Sequence, residues 1–360
     1  KALKNNGYVT GMMGKWHLSQ NNDGYYTRMF ERAKKHYGFD YVDPMTNPTE
    51  YHKSEDKGVN YLTDLAIDFI EAHKDTNFFV YLSHHTIHGK VRAPQTLIDK
   101  YISLDYPEEG VFNATYLAAI EHLDNATGRL LNKLDELNLT DNTVVMFLSD
   151  NGGVDSEFDN APLRWGKGSP YEGGIRVPFL VRWPGVVEAG SFCKTPVHVN
   201  DMYPTMIDIA GGKLTQNHLL DGTSIVPLLM QDGEWERNTL YWYMPLYDIK
   251  WGATPAAVIR KGKFKLISFF HDYIEKENEY NYIPLGRIEL YDLENDMGET
   301  RNLVDSLPAV ARKMQKELFT WIVEMGAEVP GLNQNYKKDS AYVVKRPKSP
   351  PIDFPELPIE

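Results

Sequence analysis

The sequence contains four polar clusters whose residue types could bind an oxyanion beside a divalent metal ion. Asp150 and Asn151 carry carboxylate and amide oxygens, the ligands that Ca²⁺ and Mg²⁺ prefer in proteins. The other three clusters carry cations and imidazoles, which bind oxyanions through charge-assisted hydrogen bonds: Lys15-Trp16-His17, His84 to His88, and Arg164 to Arg176 with Lys167. Lysines and histidines near a divalent ion suit a tetrahedral oxyanion.

Three of these clusters follow apolar runs that are typical of β strands. The runs are Gly7 to Gly14, Phe78 to Ser83 and Thr143 to Leu148. The third run lacks polar alternation, which predicts a strand buried on both faces. In an open α/β sheet, ligands bind beyond the carboxyl ends of the strands. If the strands are parallel neighbours, we expect one rim to gather the polar side chains Lys15, His17, His88, Asp150, Asn151 and Lys167.

Several of these residues have an ordinary structural alternative. Asn-Gly is a common turn signal, so Asn151-Gly152 alone favours a simple turn. Packing or hydrogen bonding explains His84 and His85 as well as a substrate contact does. Arg164 is balanced between a substrate contact and a surface ion pair. The prediction of an anion and metal site therefore depends on the four clusters taken together.

Other polar residues are predicted to serve the fold. We expect Glu172 and Arg176 to brace their loop through a salt bridge. The segment from His198 to Asp201 has the residue types of a helix cap, and His122 lies beside the apolar stripe of a long helix. Cys193 is the single cysteine, which excludes an intrachain disulfide, and we expect it to be a buried thiol.

Composition narrows the classes of protein. At 360 residues and 42% hydrophobic residues, the chain can form one large domain and a smaller one. A net charge of −12 argues against a nucleic-acid partner, because such binders carry a basic face. The apolar runs fall short of the roughly 18 residues of a membrane span.

The order of strands and amphipathic segments predicts an α/β fold with a mostly parallel sheet flanked by helices. Apolar residues at helical spacing predict helices over residues 60–73 and 113–137, whereas residues 89–111 are predicted to be a long loop. We expect an α/β domain over residues 1–236. It is followed by an α+β subdomain with a small antiparallel sheet over residues 237–335, and by a Pro-rich tail over residues 336–360.

Several motifs resemble, in type and in order along the chain, those of the type I sulfatase family, which belongs to the alkaline phosphatase superfamily. Gly14-Lys15-Trp16-His17 looks like the Gly-Lys-Trp-His motif of the family, and Ser149-Asp150-Asn151-Gly152 looks like its metal-binding turn. The segment from Gly166 to Gly174 resembles its lysine segment, and the histidine cluster and Glu289 to Leu293 match in type and order. The resemblance covers residues 7 to about 305.

This resemblance implies an alkaline-phosphatase-like fold and hydrolysis of a sulfate ester, on a sulfated glycan or a small sulfate ester. Asp150 and Asn151 would hold Ca²⁺, with Mg²⁺ as the alternative. Lys15, His88, Lys167 and Arg164 would bind the substrate, and His88 with Lys167 would protonate the leaving oxygen. His17 would serve a formylglycine nucleophile. Proteins of this family act in the periplasm, outside the cell or in lysosomes, which is the expected localisation.

The chain also departs from the family pattern. The Cys/Ser-x-Pro-x-Arg motif that yields formylglycine does not occur in the sequence, and Cys193 is followed by Pro196 at the wrong spacing. We therefore expect that an N-terminal segment with the nucleophile and two metal aspartates is missing, and that this chain alone is inactive. Two alternatives stay open: a phosphodiesterase or phosphonate hydrolase of the same superfamily, and an inactive fragment or glycan-binding remnant.

Overall fold

The computed structural model describes residues 1–15, 34, 37–43, 54–154, 159–214, 219–232, 235–246, 254–270, 272–276, 279–283 and 287–328. The described strands are β1 (Val9–Gly14), β2 (Tyr41–Val42), β3 (Phe78–Ser83), β4 (Val145–Leu148), β5 (Phe179–Arg182), β6 (Thr239–Met244), β7 (Ala256–Lys261), β8 (Phe264–Phe269), β9 (Asp272–Lys276), β10 (Glu279–Ile283) and β11 (Ile288–Asp292). The described α-helices are α1 (Ala2–Asn5), α2 (Val59–Ala72), α3 (Gln95–Ser103), α4 (Ala114–Glu136), α5 (Glu172–Ile175), α6 (Met202–Ile209), α7 (Val226–Leu229) and α8 (Pro308–Glu324).

The chain divides into two compact units. The first comprises Lys1–Phe147 and Leu180–Glu234, and the second comprises Leu148–Phe179 and Trp235–Glu360. The later boundary lies near residue 236, where the sequence predicts a change of domain. Residues 148–179 group with the C-terminal unit in the structure, and the predicted domain boundaries stay a prediction. The predicted tail over residues 336–360 lies outside the described residues.

The first unit contains a three-stranded parallel sheet with the strand order β2–β1–β3. β1 and β3 pair along their whole length, so that Gly14 lies beside Ser83 at their carboxyl ends. Helix α2 precedes β3 in sequence and buries Leu62, Ala66 and Phe69 in a core shared with the strands. The predicted strand–helix–strand arrangement with parallel strands is therefore present.

β4 and β5 form a two-stranded sheet. The expectation that the 143–148 run is buried on both faces is wrong: Phe147 in β4 is 41% exposed, and Leu180 in β5 is 60% exposed. Within the described ranges, β4 pairs with β5 alone. Both faces of a buried parallel sheet are covered by helices, and the exposure of Phe147 shows that this cover is incomplete at β4.

The structure has helices in both of two segments, residues 113–137 and 89–111, of which the sequence predicts the first to be a helix and the second a loop. The predicted 113–137 helix is α4, with Asn113 as its N-cap. The prediction of a continuous loop over residues 89–111 is wrong, because α3 lies within it. Leu97, Ile98 and Tyr101 recur at helical spacing in α3 and pack on a core that includes Ala118 of α4. Tertiary packing of this short apolar stripe thus stabilises a helix.

Among the residues that the structure describes, no helix combines the length and the apolar character needed to cross a membrane. The longest of them, α4, has 23 residues, and ion pairs join it to α2 and α3. Its Lys133 pairs with Glu71 at 2.9 Å, and its Glu121 pairs with Lys100 at 2.7 Å. These surface charges are typical of a helix that packs one face on a core and exposes the other to water.

The second unit contains a four-stranded antiparallel sheet with the order β11–β8–β7–β6. Its strands were predicted, but the hairpin of β9 and β10 was not. Helix α8 packs on this sheet and buries Leu318 and Ile322 beside Leu290 of β11. The ring of Tyr241 stacks on Trp321 of α8, with 4.7 Å between ring centroids. This core holds the C-terminal sheet and its closing helix together.

The structure decides two further predictions. The cap before α6 is confirmed: the backbone N–H of His198 donates to the Asp201 carboxylate at 2.6 Å, and His198 Nδ1 accepts from the Asn200 N–H at 3.2 Å. The prediction that Cys193 is buried is wrong, because its side chain is exposed. It lies in the connection after β5, where the neighbouring Phe192 is also exposed, rather than in an element that packs on the core.

The core under α8 yields a stability prediction. Replacing the fully buried Leu318 with Ala should lower the free energy of unfolding by about 2–5 kcal/mol, because the deletion leaves a cavity. Replacing Val323, which is 73% exposed on the same helix, with Ala should change it by less than about 0.5 kcal/mol. Urea denaturation measures both, and equal effects of the two variants would contradict the described packing.

Candidate active site

Lys15 and the histidine cluster lie at the same edge of the parallel sheet. The Lys15 N–H donates to the Ser83 carbonyl at 2.7 Å, directly beyond the last pair of β1 and β3. Gly14 has φ +96°, and a Cβ there would lie 2.1 Å from the Ser83 carbonyl oxygen, so only glycine fits. The segment from His84 to His88 follows Ser83. The prediction that these two clusters share one edge is confirmed within the first unit.

A buried lysine that the sequence analysis missed supports His88. The Lys57 side chain is 1% exposed, and its Nζ donates to the carbonyl oxygens of His88 at 2.6 Å and Gly89 at 3.2 Å. The rings of His85 and His88 lie edge to face, 6.2 Å apart. Ile87 has φ +65°, which is unusual for a β-branched residue. The Lys57 ammonium thus fixes the backbone of an irregular segment.

The surroundings of two further histidines, His84 and His122, indicate structural roles. Burial lowers the pKa of His84 to about 4, so this ring is neutral at neutral pH. His122 Nε2 lies 3.3 Å from the Asp56 carboxylate, which confirms its predicted structural role. Burial opposes ionisation of Asp56, but hydrogen bonds from His122 and from the Asn60 and Gly58 amides outweigh it and hold the pKa of Asp56 below its usual value. Asp56 therefore anchors the start of α2.

In the second unit, Asp150 and Asn151 form a turn directly after β4. Asp150 is exposed. The Ser149 hydroxyl donates to the Asn151 carbonyl at 2.9 Å, and the Asn151 side-chain amide donates to the Gly152 carbonyl at 2.9 Å. With its amide nitrogen engaged in this way, Asn151 is oriented by its own turn.

The turn is hydrogen-bonded to the segment that carries Lys167. The Lys167 N–H donates to the Gly153 carbonyl at 2.8 Å, and the Gly152 N–H donates to the Gly174 carbonyl at 3.0 Å. A Cβ on Gly152 would lie 1.7 Å from the Gly173 carbonyl oxygen, so this approach requires glycine. The structure thus brings Asp150, Asn151 and Lys167 together within one hydrogen-bonded framework. Lys15 and His88 belong to the first unit.

Arg164 has partners inside the second unit. Its Nη1 donates to the Tyr291 hydroxyl at 2.8 Å and to the Glu299 carbonyl at 2.9 Å. Its guanidinium lies over the Tyr171 ring at 4.1 Å, a cation–π contact. Tyr171 and Tyr291 both donate to Glu289 Oε2, at 2.7 and 2.8 Å. This environment favours a structural role for Arg164 over the predicted substrate contact or surface ion pair.

A buried cluster of three charged residues, which we call the glutamate–lysine cluster, lies under the Lys167 segment. Lys265 of β8 is fully buried, and its Nζ lies 3.0 Å from Glu172 Oε1 and 2.8 Å from Glu299 Oε1. Arg176 lies 3.3 Å from Glu172 Oε2, which confirms the predicted salt bridge. Neither Lys265 nor Glu299 was singled out from the sequence.

The two carboxylates of this cluster differ. Burial raises the pKa of Glu299 to about 7, although the charge of Lys265 and its hydrogen bond oppose the rise. For Glu172, burial also disfavours the charge, but Lys265 and the arginines Arg260 and Arg176 outweigh it and lower the pKa. Two carboxylates share one buried ammonium, so the less well compensated of them, Glu299, retains its proton more readily.

The donor atoms of the Asp150–Asn151 turn suit a hard divalent cation in type but not in number. Carboxylate and amide oxygens are what Ca²⁺ takes, yet it takes about six to eight of them. Among the described residues, no group of three or more His, Cys, Asp or Glu side chains could hold a metal ion. The two oxygens of the turn are therefore too few to form a calcium site by themselves. His17, the predicted partner of the nucleophile, lies outside the described residues.

The buried Glu299 yields a pH prediction. Its pKa is raised in the folded protein, so its contribution to stability is complete at low pH and is lost as the pH rises through about 7. Glu299→Gln removes this loss. The free energy of unfolding of the variant, relative to the wild type, should therefore increase from pH 5 to 7, by at most about 1.4 kcal/mol per unit.

Urea denaturation across this pH range measures the difference. Glu294→Gln is the matched control, because Glu294 is exposed, and it should show no such trend. If the stability curves of Glu299→Gln and the wild type run parallel across this range, the description of the cluster is incorrect.

Comparisons with known proteins bear on the whole chain. The family model described as Sulfatase matches residues 1–212, and the model described as N-sulphoglucosamine sulphohydrolase, C-terminal, matches residues 164–325. A sulfatase of Formosa agariphila is 34% identical over 289 residues, which cover 74% of this chain and 50% of that protein. Human arylsulfatase H is 31% identical over 228 residues, which cover 60% of this chain and 39% of that protein.

Solved structures are also similar. Ps i-CgsB, crystallised in complex with k-i-k-neocarrahexaose, matches with a TM-score of 0.69 and 26% identity over 89% of this chain and 73% of that one. The fold is thus alkaline-phosphatase-like, as predicted. The chain spans about half the length of the curated relatives it matches. Because the first family model alone covers more than half of the 360 residues, the chain belongs to the sulfatase family.

Proposed function

We propose that this chain carries part of the catalytic machinery for hydrolysis of a sulfate ester on a sulfated carbohydrate. The observation that supports the proposal most directly is the pair of backbone hydrogen bonds between the Asp150–Asn151 turn and the Lys167 segment, at 2.8 and 3.0 Å. They hold the backbone of the Asp150–Asn151 turn beside that of the Lys167 segment. Preorganised charges act most strongly where charge develops in a transition state.

In this proposal, the lysines act on the sulfate. Lys167 and Lys15 donate to its oxygens and stabilise the negative charge that grows as the ester bond breaks. His88, whose backbone is held by Lys57, contacts the sulfate and protonates the leaving sugar oxygen together with Lys167. Lysine is suited to this task because its compact ammonium can contact several sulfate oxygens.

We further propose that Asp150 and Asn151 hold Ca²⁺, with Mg²⁺ as the alternative. A divalent ion bound there would polarise the sulfate oxygens as a Lewis acid. The Asp150 carboxylate supplies the charge, and the Asn151 carbonyl supplies a neutral oxygen that its hydrogen bond to Gly152 orients. Both ligands follow the end of β4, where an α/β sheet commonly binds its ligands.

The nucleophile of this proposal is a formylglycine that these 360 residues do not encode, since no Cys/Ser-x-Pro-x-Arg motif occurs among them. His17 would act on this group as a base when the sulfated intermediate breaks down. We therefore expect no turnover from these 360 residues alone. The proposed site of action is the periplasm, the cell exterior or a lysosome.

The carbohydrate part of the proposal rests on the relatives. Ps i-CgsB was crystallised with an oligosaccharide and is 26% identical to this chain. The two alternatives make different predictions. A phosphoryl-transfer enzyme would hydrolyse phosphodiesters or phosphonates faster than sulfate esters, and a glycan-binding remnant would bind a sulfated oligosaccharide without turnover in the full-length protein.

Substitution of the two lysines tests the anion site. In the full-length protein, Lys15→Ala and Lys167→Ala should each lower kcat on a sulfate ester by about 10²- to 10³-fold, because each removes a fixed donor to the transition state. Lys74→Ala is the control, since Lys74 is exposed, and it should retain wild-type kcat. Rates near the wild-type value for both active-site variants would remove the assignment.

Substitution of the acidic ligand tests the metal site. Asp150→Asn keeps the shape of the side chain but removes its charge, so Ca²⁺ affinity, measured by isothermal titration calorimetry on the full-length protein, should fall at least tenfold. Asp159→Asn, at an exposed aspartate nearby in the sequence, is the matched control and should bind like the wild type. Equal Ca²⁺ affinity in Asp150→Asn and the wild type would exclude Asp150 as a ligand.

A further inference from the structure

A buried lysine of the C-terminal sheet is tied to the segment that carries Lys167. Lys265 lies on β8, its side chain is 0% exposed, and its two ion pairs reach Glu172 and Glu299 at 3.0 and 2.8 Å. Glu172 is the first residue of α5, in the same segment as Lys167. A lysine is seldom fully buried unless it is paired. The two ion pairs therefore permit the burial of Lys265, and the question is what this buried cluster contributes.

Glu299 holds the Lys167 segment at two points. Its Oε2 accepts a hydrogen bond from the Glu172 N–H at 2.6 Å, and its backbone carbonyl accepts from the Arg164 side chain at 2.9 Å. Arg164 and Glu172 stand on either side of Lys167 in the chain. The Arg164 carbonyl also accepts from the Gly173 N–H at 2.9 Å, which closes the loop between them.

Gly173 and Gly174, which follow Glu172, connect the cluster to the Asp150–Asn151 turn. The Gly174 carbonyl, two residues after Glu172, accepts from the Gly152 N–H at 3.0 Å. A Cβ on Gly173 would lie 1.9 Å from the Trp165 carbonyl oxygen, and Trp165 has φ +59°. The backbones therefore meet without room for adjustment, so a shift of Glu172 would be transmitted both to the turn and to Lys167.

Stability alone does not account for this cluster. Buried ion pairs are often no more stabilising than apolar residues of the same volume, because both charges lose their hydration. Here two carboxylates face one buried ammonium, and the arginines Arg260 and Arg176 add compensation at Glu172. What the cluster supplies is a set of directional contacts that define one position of the segment.

We propose that Lys265 is a positioning residue: its ammonium, held between Glu172 and Glu299, sets the position of the Lys167 segment and, through Gly152 and Gly174, of the Asp150–Asn151 turn. This inference rests on the proposed function of that framework as a site for sulfate and a metal ion. Lys265 itself is buried and touches no substrate.

Lys265→Met tests the inference. It should speed hydrogen exchange of the Gly152 and Lys167 amides at least tenfold, with exchange in α8 unchanged, and should weaken binding of inorganic sulfate at least tenfold. Lys263→Met is the matched control: Lys263 lies two residues away and forms a surface pair with Asp292 at 2.7 Å, and its replacement should leave both readouts unchanged. Unchanged local exchange in Lys265→Met, or exchange that rises equally in α8, would overturn the inference.

Glu172→Ala distinguishes a loss of positioning of the Lys167 segment from a purely electrostatic effect. It also provides a test of the inference if Lys265→Met fails to fold. It removes a negative charge near the proposed anion site, so a purely electrostatic effect would tighten sulfate binding. Loss of position should weaken it instead and should speed exchange at Gly152. Tighter sulfate binding with unchanged exchange would overturn the inference.

Lys167→Ala tests the proposed function separately: unchanged sulfate affinity there would remove the anion site, whereas the exchange measurements on Lys265→Met would still decide the positioning role.

Discussion

The second unit depends on a lysine ammonium buried between two glutamates. The Lys265 pairs with Glu172 and Glu299 join residues from the C-terminal sheet, from the connection after β11 and from the segment before β5. This cluster explains why residues 148–179 belong with the C-terminal unit, although they lie between strands of the N-terminal part in sequence. Breaking one partner of such a cluster would leave an uncompensated buried charge, which costs far more than the net worth of the pair.

The first unit uses a related device. Lys57 is also buried, and its ammonium donates to the carbonyl oxygens of His88 and Gly89. Each unit has an irregular segment with a left-handed residue, Ile87 in one and Trp165 in the other. Lys57 bonds directly to backbone carbonyls, whereas Lys265 acts through the carboxylates of Glu172 and Glu299. Irregular backbone leaves polar groups that no ladder of hydrogen bonds satisfies. A long cationic side chain can reach these groups from a neighbouring element.

The sequence predicted those features that depend on local periodicity. The 114–136 helix, the antiparallel strands of the second unit and the shared edge of Lys15 and the histidines all follow from apolar spacing and strand order. The buried lysines could not be predicted in this way, because Lys265 meets Glu172 across 93 residues of sequence. A lysine in a strand is ordinarily read as solvent-facing. Helix α3 was missed because its stripe is short and packing on α4 stabilises it.

A crystal structure of the protein with Ca²⁺ and inorganic sulfate would show whether the Asp150–Asn151 turn and the Lys167 segment together bind these ions. We expect Ca²⁺ bound by the side-chain oxygens of Asp150 and Asn151, and a sulfate oxygen within hydrogen-bond distance of Lys167 Nζ. Both ions bound elsewhere, with the framework in the conformation described, would contradict this expectation.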